Sequence, residues 1–144
     1  MAMAAAANGT PDPPTRTILV VEDEVLIRGT VAEFLRDAGY RVFEAVNAAE
    51  AKAVLSAGAS VDLVFSDVTM PGDENGFALA GWIRQNYPHV LVLLTSGFAD
   101  LANNSGTYPT DIPLLPKPYA VDRVLDQVIR LLGRVQSGGG SGTP

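Results

Sequence analysis

The feature that most constrains the fold is the alternation of short apolar runs with segments of helical periodicity. Apolar runs at 17–21, 61–65 and 90–94 consist mainly of Val, Leu and Ile. Such runs are typical of parallel strands that are covered on both faces. Between them, apolar residues recur at helical spacing over 25–38 and 76–87. Strands that alternate with helices predict an α/β fold, with a parallel sheet covered by helices on both sides.

Two further strands are predicted at 41–45 and 113–117. The second of these contains Pro116, which cannot donate a hydrogen bond to a neighbouring strand and therefore favours an edge position. Five strands with the fifth at the edge are consistent with a five-stranded parallel sheet of order 2-1-3-4-5. This is the order of flavodoxin-like doubly wound folds, in which strands one and three are neighbours.

The segment between the fourth and fifth strands breaks the pattern. Residues 98–112 contain Asn103, Asn104, Gly106 and Pro109, which are weak helix formers. We expect the fourth helix to be degenerate, short or absent. The other helices are better marked: Asn47 and Glu50 resemble a capping box at the start of the second.

The chain has 144 residues, which suits one domain. Residues 1–15 are rich in Ala and Pro and are predicted to be a flexible leader. Residues 16–134 carry the alternating pattern, and 135–144 form a Ser/Gly-rich tail that we expect to be disordered.

Composition argues against several classes of function. The net charge of -6 disfavours direct nucleic acid binding, which calls for clustered Lys and Arg. The absence of Cys excludes disulfides and thiolate catalysis and suits a reducing compartment. The apolar runs are too short to cross a membrane. We therefore expect a cytoplasmic protein.

Acidic side chains follow the two strands that this order makes neighbours. Glu22 and Asp23 come directly after the first strand, and Asp67 ends the third. Three carboxylates at close range need a counter-charge. Oxygen ligands in small number suit Mg²⁺. The alternative reading is that these are solubilising, turn or cap residues.

Two more polar residues reach the same edge of the sheet. Thr95 follows the fourth strand, and Lys117 follows the fifth. An anion bound beside the metal would meet a cation and a hydroxyl together, which is the arrangement that phosphoryl transfer requires.

These motifs, in this order, resemble the receiver domain of two-component response regulators. The resemblance covers residues 16–134. Because the residues after 133 contain nothing that could fold into an output domain, we expect a stand-alone, single-domain type. Each motif alone is weak, but five at compatible spacing are specific. The matching positions are Glu22-Asp23, Asp67, Met70-Pro71, Thr95 and Lys117-Pro118.

The resemblance implies that Asp67 is the phosphoacceptor, which takes a phosphoryl group from phosphohistidine on a sensor histidine kinase or a histidine phosphotransfer protein. It implies that Asp23, Asp67 and the backbone carbonyl of Thr69 bind Mg²⁺, with Glu22 acting through water. The resemblance also allows for a downstream protein partner. A receiver domain catalyses its own phosphorylation and dephosphorylation but is not a turnover enzyme.

For the other two positions, the resemblance implies that Lys117 pairs with Asp67 and then with the phosphoryl group. Thr95 is expected to move toward that group. The Lys117–Pro118 peptide bond is expected to be cis, which costs little before proline.

Two departures affect signalling. The family has an aromatic residue three positions before the lysine, where this chain has Leu114. Residues 98–112 lack the usual helix pattern. We hypothesise that signalling moves this loop directly, or that the domain mainly relays or absorbs phosphate.

Other functions remain open from sequence. An Asp-nucleophile, Mg²⁺-dependent phosphohydrolase typically has a second Asp two residues after the first, where this chain has Thr69. A flavin-binding module would need a phosphate loop after the first strand, where this chain has acids. A protein-interaction domain with a vestigial site is the third alternative.

Overall fold

A computed structural model describes residues 15–97 and 111–133. It contains a five-stranded parallel sheet of order β2-β1-β3-β4-β5, which confirms the predicted topology. The strands are β1 Thr17–Val21, β2 Arg41–Ala45, β3 Leu63–Asp67, β4 Leu91–Ser96 and β5 Leu114–Pro116. Pro116 lies on the edge strand, as predicted.

Within the described residues, a helix follows each of the strands β1, β2, β3 and β5. They are α1 Val25–Asp37, α2 Ala48–Ser56, α3 Gly76–Asn86 and α4 Val121–Val128, the last of which continues into a π-helical turn, Ile129–Gly133. Gly39 and Gly58, which follow α1 and α2, have φ values of 106° and 93°, which glycine adopts more readily than other residues, and they end these helices.

The sheet buries both of its faces. Ile18 and Val20 of β1 pack with α1 and α4 on one side, whereas Leu19 and Val21 pack with α2 and α3 on the other. Successive side chains of a strand point to opposite faces, so a strand between two helical layers must be apolar throughout. This is why β1 has no polar alternation.

Local capping matches the sequence with one difference. The Asn47 side chain accepts a hydrogen bond from the Glu50 backbone N–H at 2.8 Å, as a capping residue should. The Glu50 carboxylate, however, accepts from the backbone N–H of Val46, one residue before the cap. Side chains thus satisfy the backbone N–H groups of Glu50 and Val46, although the bond to the Glu50 side chain comes from the residue before the cap and not from the cap itself.

Part of the sequence prediction lies outside the described residues. The degenerate fourth helix is predicted over 98–112, of which 98–110 lie outside; so do the predicted leader, 1–15, except for its last residue, and the predicted tail, 135–144. Within the described residues, no helix is long and apolar enough to span a lipid bilayer.

Candidate functional site

The carboxyl ends of β1 and β3 bring three acidic side chains together. Glu22 follows β1, and Asp67 is the last residue of β3; the two strands are hydrogen-bonded neighbours. Glu22 and Asp67 are only 5% and 3% exposed, whereas Asp23 is exposed. One carboxylate oxygen from each lies within 4.8 Å of the others. The structure therefore assembles the cluster that the sequence predicted.

The two oxygens of Asp67 have different partners. Oδ1 accepts a hydrogen bond from the backbone N–H of Thr69 at 3.2 Å. Oδ2 accepts one from Lys117 Nζ at 2.8 Å, which is also an ion pair. A buried carboxylate is costly unless it is paired and hydrogen-bonded, and these contacts satisfy that requirement.

Lys117 reaches the site from the edge of the sheet. Its backbone N–H donates to the Ser96 carbonyl at 2.9 Å, and its side chain crosses to Asp67. The Lys117–Pro118 peptide bond is cis, as expected from the sequence.

Thr95 lies beside Asp67 on the adjacent strand. The Cα atoms of the two residues are register partners, and Thr95 is 1% exposed. Its hydroxyl oxygen has no hydrogen-bond partner among the described residues. A buried hydroxyl without a partner is rare, because it loses its hydration without compensation. The site therefore keeps an unused hydroxyl next to Asp67.

The electrostatics of the cluster centre on Glu22. The pKa of this carboxyl is raised to about 7, chiefly by burial. The hydrogen bond that it accepts from the Glu24 backbone N–H lowers the pKa and offsets part of this effect. The charge of Asp67 and a hydrogen bond with Asp23 raise the pKa further, while Lys117 lowers it. Burial, with Asp67 and Asp23 close by, thus favours the protonated form of Glu22.

Tyr119 is a site neighbour that the sequence analysis did not single out. It lines a cavity of about 600 Å³ together with Glu22 and Lys117. Its ring packs edge-on against that of Phe65, with 6.0 Å between the ring centroids. Burial raises the pKa of its hydroxyl to about 12, and the charges of Glu22 and Asp67 add to that effect. Its place directly after Lys117-Pro118 was the available signal.

Arg28 was also missed. It lies on α1, and its Nη1 donates to the backbone carbonyl of Glu22 at 2.9 Å. Its Nε donates to Glu44 Oε1 on β2 at 3.2 Å. Only its position on a helix that follows the acidic pair could have suggested this contact, because Glu44 is distant in sequence.

The acidic residues open onto a cleft that suits a hard cation. The cleft measures about 480 Å³ and is lined by Glu22, Asp23, Asp67, Thr69 and Lys117, among others. Carboxylate oxygens are the donors that Mg²⁺ prefers, and an exposed cleft leaves room for the waters it retains. One carboxylate oxygen from each of the three acids lies within 4.8 Å of the others, so the residues present fit a divalent cation.

The comparisons with known proteins agree with this geometry. Residues 18–128 match the family model described as the response regulator receiver domain. The chain is 34% identical over 119 residues to the sensor kinase CckA of Brucella abortus, and 36% identical over 118 residues to the response regulator protein FleR of Pseudomonas aeruginosa. These matches cover 81% and 78% of the chain.

A solved structure is similar over nearly all of its own length. The response regulator protein TrrA of Thermotoga maritima, crystallised in complex with Mg²⁺-BeF, matches with a TM-score of 0.70 and 30% identity. The match covers 81% of this chain and 99% of that one.

The curated relatives are much longer than the matched region. The chain spans 12% of the length of the CckA sensor kinase and 24% of the length of FleR. The similarity therefore concerns their receiver portion, and it does not extend to what those whole proteins do.

Proposed function

The chain belongs to the response regulator receiver domain family of two-component signalling, whose members are phosphoacceptors, and we propose that its acceptor is Asp67. The observation that carries this proposal is what surrounds the Asp67 carboxylate. One of its oxygens lies within 4.8 Å of carboxylate oxygens of Glu22 and Asp23, and its Oδ2 lies 2.8 Å from Lys117 Nζ. A nucleophile, an acidic metal site and a cation thus meet at one strand end.

In the proposed reaction, a carboxylate oxygen of Asp67 attacks the phosphorus of a phosphohistidine. The new O–P bond forms as the P–N bond breaks, and the electron pair of the P–N bond returns to the imidazole nitrogen. The product is an acyl phosphate on Asp67 and a free histidine on the donor. Positioning and charge stabilisation supply the catalysis, because phosphoryl transfer needs little covalent help from the protein.

Receiver domains bind Mg²⁺ at an acidic pocket, and we assign the ligands here to Asp23, Asp67 and the Thr69 backbone carbonyl. Glu22 would act through water. When bound, Mg²⁺ would neutralise the charge that develops on the phosphoryl oxygens. TrrA, which was crystallised with Mg²⁺ and BeF, supports the assignment by similarity. The three carboxylates, which each bring an oxygen within 4.8 Å of the others, support it independently.

Lys117 and Thr95 are assigned to the phosphoryl group. Lys117 holds the unmodified Asp67 through its ion pair and would transfer that contact to a phosphoryl oxygen. The Thr95 hydroxyl, which lacks a partner among the described residues, would donate to another phosphoryl oxygen. A hydrogen bond from a buried donor to an anionic acceptor is strong, so this contact would favour the phosphorylated state.

The proposed partners are a sensor histidine kinase or a histidine phosphotransfer protein, the classes with which receiver domains interact. A downstream protein would read the phosphorylated state. The chain would catalyse its own phosphorylation and dephosphorylation without turning over a free substrate, and it would do so in the cytoplasm.

The test is incubation with a small phosphodonor and Mg²⁺, followed by intact-mass measurement. The wild type should gain the mass of one phosphoryl group, and Asp67→Asn should not. Asp73→Asn is the matched control, because Asp73 is an exposed acid in the loop after β3 that this proposal does not use. It should be phosphorylated like the wild type.

Three results would contradict the proposal: no mass gain in the wild type, a gain in Asp67→Asn, or a loss of phosphorylation in both variants. Omission of Mg²⁺ should also abolish or greatly slow the reaction. Multiple turnover of a phosphate monoester would instead favour a hydrolase.

A further inference from the structure

We propose that Arg28 is a positioning residue for the Mg²⁺ site, acting on the metal-binding acids through the backbone of Glu22. The proposal rests on the proposed function, since it requires that Glu22 and Asp23 serve a bound cation. Among the contacts of the described residues, Arg28 makes no hydrogen bond or ion pair with Asp67 or with the carboxylates of Glu22 and Asp23; its proposed role is to fix the direction in which the acidic pair points.

The contacts place Arg28 between three parts of the fold. Its Nη1 donates to the Glu22 carbonyl at 2.9 Å, and its Nε forms an ion pair with Glu44 of β2 at 3.2 Å. The Arg28 side chain is only 15% exposed. A single planar guanidinium therefore ties the start of α1 to β2 and to the turn that carries the acids.

The backbone of Glu22 is fixed on both of its sides. Its N–H donates to the Ala45 carbonyl at 3.0 Å, and its carbonyl accepts from Arg28. The first bond extends the β1–β2 ladder and would persist without Arg28. The second holds the peptide plane that joins Glu22 to Asp23; in the same turn, the Glu22 carboxylate accepts a hydrogen bond from the Glu24 backbone N–H at 3.0 Å. Loss of the Arg28 bond should therefore change the direction of the two carboxylates relative to each other.

Arginine suits this place better than lysine does. The rigid fork of a guanidinium can donate to a carboxylate and a carbonyl at once, whereas an ammonium group is a single point charge. Groups that orient metal ligands typically change metal affinity by about 10–100-fold when they are removed.

The direction in which Mg²⁺ affinity changes when Arg28 is removed distinguishes a positioning role from an effect of charge alone. Arg28 is a cation near a cation site, so its removal should, by charge alone, tighten Mg²⁺ binding. If Arg28 orients the ligands, its removal should weaken Mg²⁺ binding despite the loss of repulsion. A weaker affinity therefore cannot be an effect of net charge.

The chain offers a matched control in Arg36. Its Nη2 also pairs with Glu44, at 3.2 Å, and donates to a backbone carbonyl, that of Val42, at 2.9 Å. Arg36→Met thus loses one ion pair to the same glutamate and one carbonyl bond, as Arg28→Met does. Of these two arginines, only Arg28 forms a hydrogen bond with Glu22 in the part of the chain that the structure describes.

The experiment is Mg²⁺ titration by calorimetry of the wild type, Arg28→Met, Arg28→Lys and Arg36→Met, with thermal unfolding measured in parallel. We expect Arg28→Met to weaken Mg²⁺ affinity by about 10-fold or more. Arg36→Met should stay within about twofold of the wild type even if its melting temperature falls. Arg28→Lys, which keeps the charge but not the fork, should lie between the wild type and Arg28→Met.

The outcomes distinguish this inference from the proposed function. Wild-type protein that does not bind Mg²⁺ would overturn both. Wild-type binding with unchanged or tighter binding in Arg28→Met, or with equal loss in Arg36→Met, would overturn only the role of Arg28. If Arg28→Met does not fold, Arg28→Lys decides: an affinity equal to that of the wild type would reject the positioning role. Faster amide exchange at 22–24 in the weakened variants would support it.

Discussion

Lys117 and Asp67, which are 50 residues apart in sequence, form an ion pair of 2.8 Å between Nζ and Oδ2. The pair joins the end of the edge strand β5 to the end of the central strand β3. Asp67 is almost fully buried, while the Lys117 side chain is 34% exposed. The pair therefore neutralises a buried carboxylate from the solvent side of the cleft.

We expect Lys117→Met to lower the free energy of unfolding in metal-free protein by about 1–2 kcal/mol. This is less than the cost of breaking a fully buried pair, because Lys117 is partly solvated. Mg²⁺ should restore part of the loss, since it supplies a cation to the same carboxylate. Chemical denaturation with and without Mg²⁺ measures both effects.

A double-mutant cycle with Asp67→Asn isolates the pair in this measurement. Lys117→Met should cost little in the Asp67→Asn background, where no buried charge remains to be neutralised. Equal costs in the two backgrounds would contradict the assigned pairing.

Thr95→Val is expected to stabilise the unphosphorylated protein by about 1 kcal/mol. The substitution keeps the shape of the side chain but removes a buried hydroxyl that has no partner among the described residues. The same variant should accept the phosphoryl group with a smaller gain in melting temperature than the wild type shows. Thermal unfolding before and after phosphorylation tests this; a destabilised unphosphorylated variant would be inconsistent with an unused hydroxyl.

The parts of the structure that follow from periodicity could be predicted from sequence. The apolar runs of β1 and β3 must be buried on two faces, so they fix a central parallel pair and bring the acids after them to one edge. Pro116 placed β5 at the edge by its missing donor. Asp67, Glu22 and Asp23 could be assigned to one site on this basis alone.

Long-range side-chain contacts could not be predicted in the same way. The bridge from Arg28 to Glu22 and Glu44 depends on how α1 crosses the sheet, which no local pattern encodes. The burial of Tyr119 depends likewise on the packing of α1 against α4. The segment 98–110, where sequence predicts a degenerate helix, lies outside the described residues.

Metal-free protein should become less stable as pH rises from about 4.5 to about 7, through the contribution of Glu22. Its pKa is raised from 4.5 to about 7 in the folded state, chiefly by burial, so the folded state binds more protons than the unfolded state in this window. The stabilising contribution is fully present below pH 4.5 and is lost as pH rises through 7.

Glu22→Gln isolates this contribution. In the presence of a metal chelator, the free energy of unfolding of the variant should increase relative to that of the wild type between pH 4.5 and pH 7. Mg²⁺ should reduce the difference at pH 7, because cation binding favours the ionised carboxylate. Denaturation at several pH values provides the measurement, and parallel pH profiles for the two proteins would refute the assigned shift.

The last prediction concerns Gly76, the first residue of α3, which lies against the backbone of Asp67 and Val68 at the end of β3. A Cβ at this position would clash with the carbonyl oxygen of Asp67 and would lie 2.8 Å from the Cα of Val68. Because backbone atoms cannot move aside as a flexible side chain can, Gly76→Ala must displace either α3 or the end of β3. We expect a loss of about 1–3 kcal/mol in stability, as for other overpacked sites, together with slower phosphorylation.

Gly81→Ala in the same helix is the matched control. Nothing lies within 4 Å of a Cβ there, so the alanine should stabilise α3 by about 0.5–1 kcal/mol through its higher helix propensity. Phosphorylation of Gly81→Ala should match the wild type. Opposite signs for two identical substitutions in one helix would show that close packing against Asp67, and not helix propensity, makes glycine necessary at 76. A Gly76→Ala protein as stable and as readily phosphorylated as Gly81→Ala would contradict this.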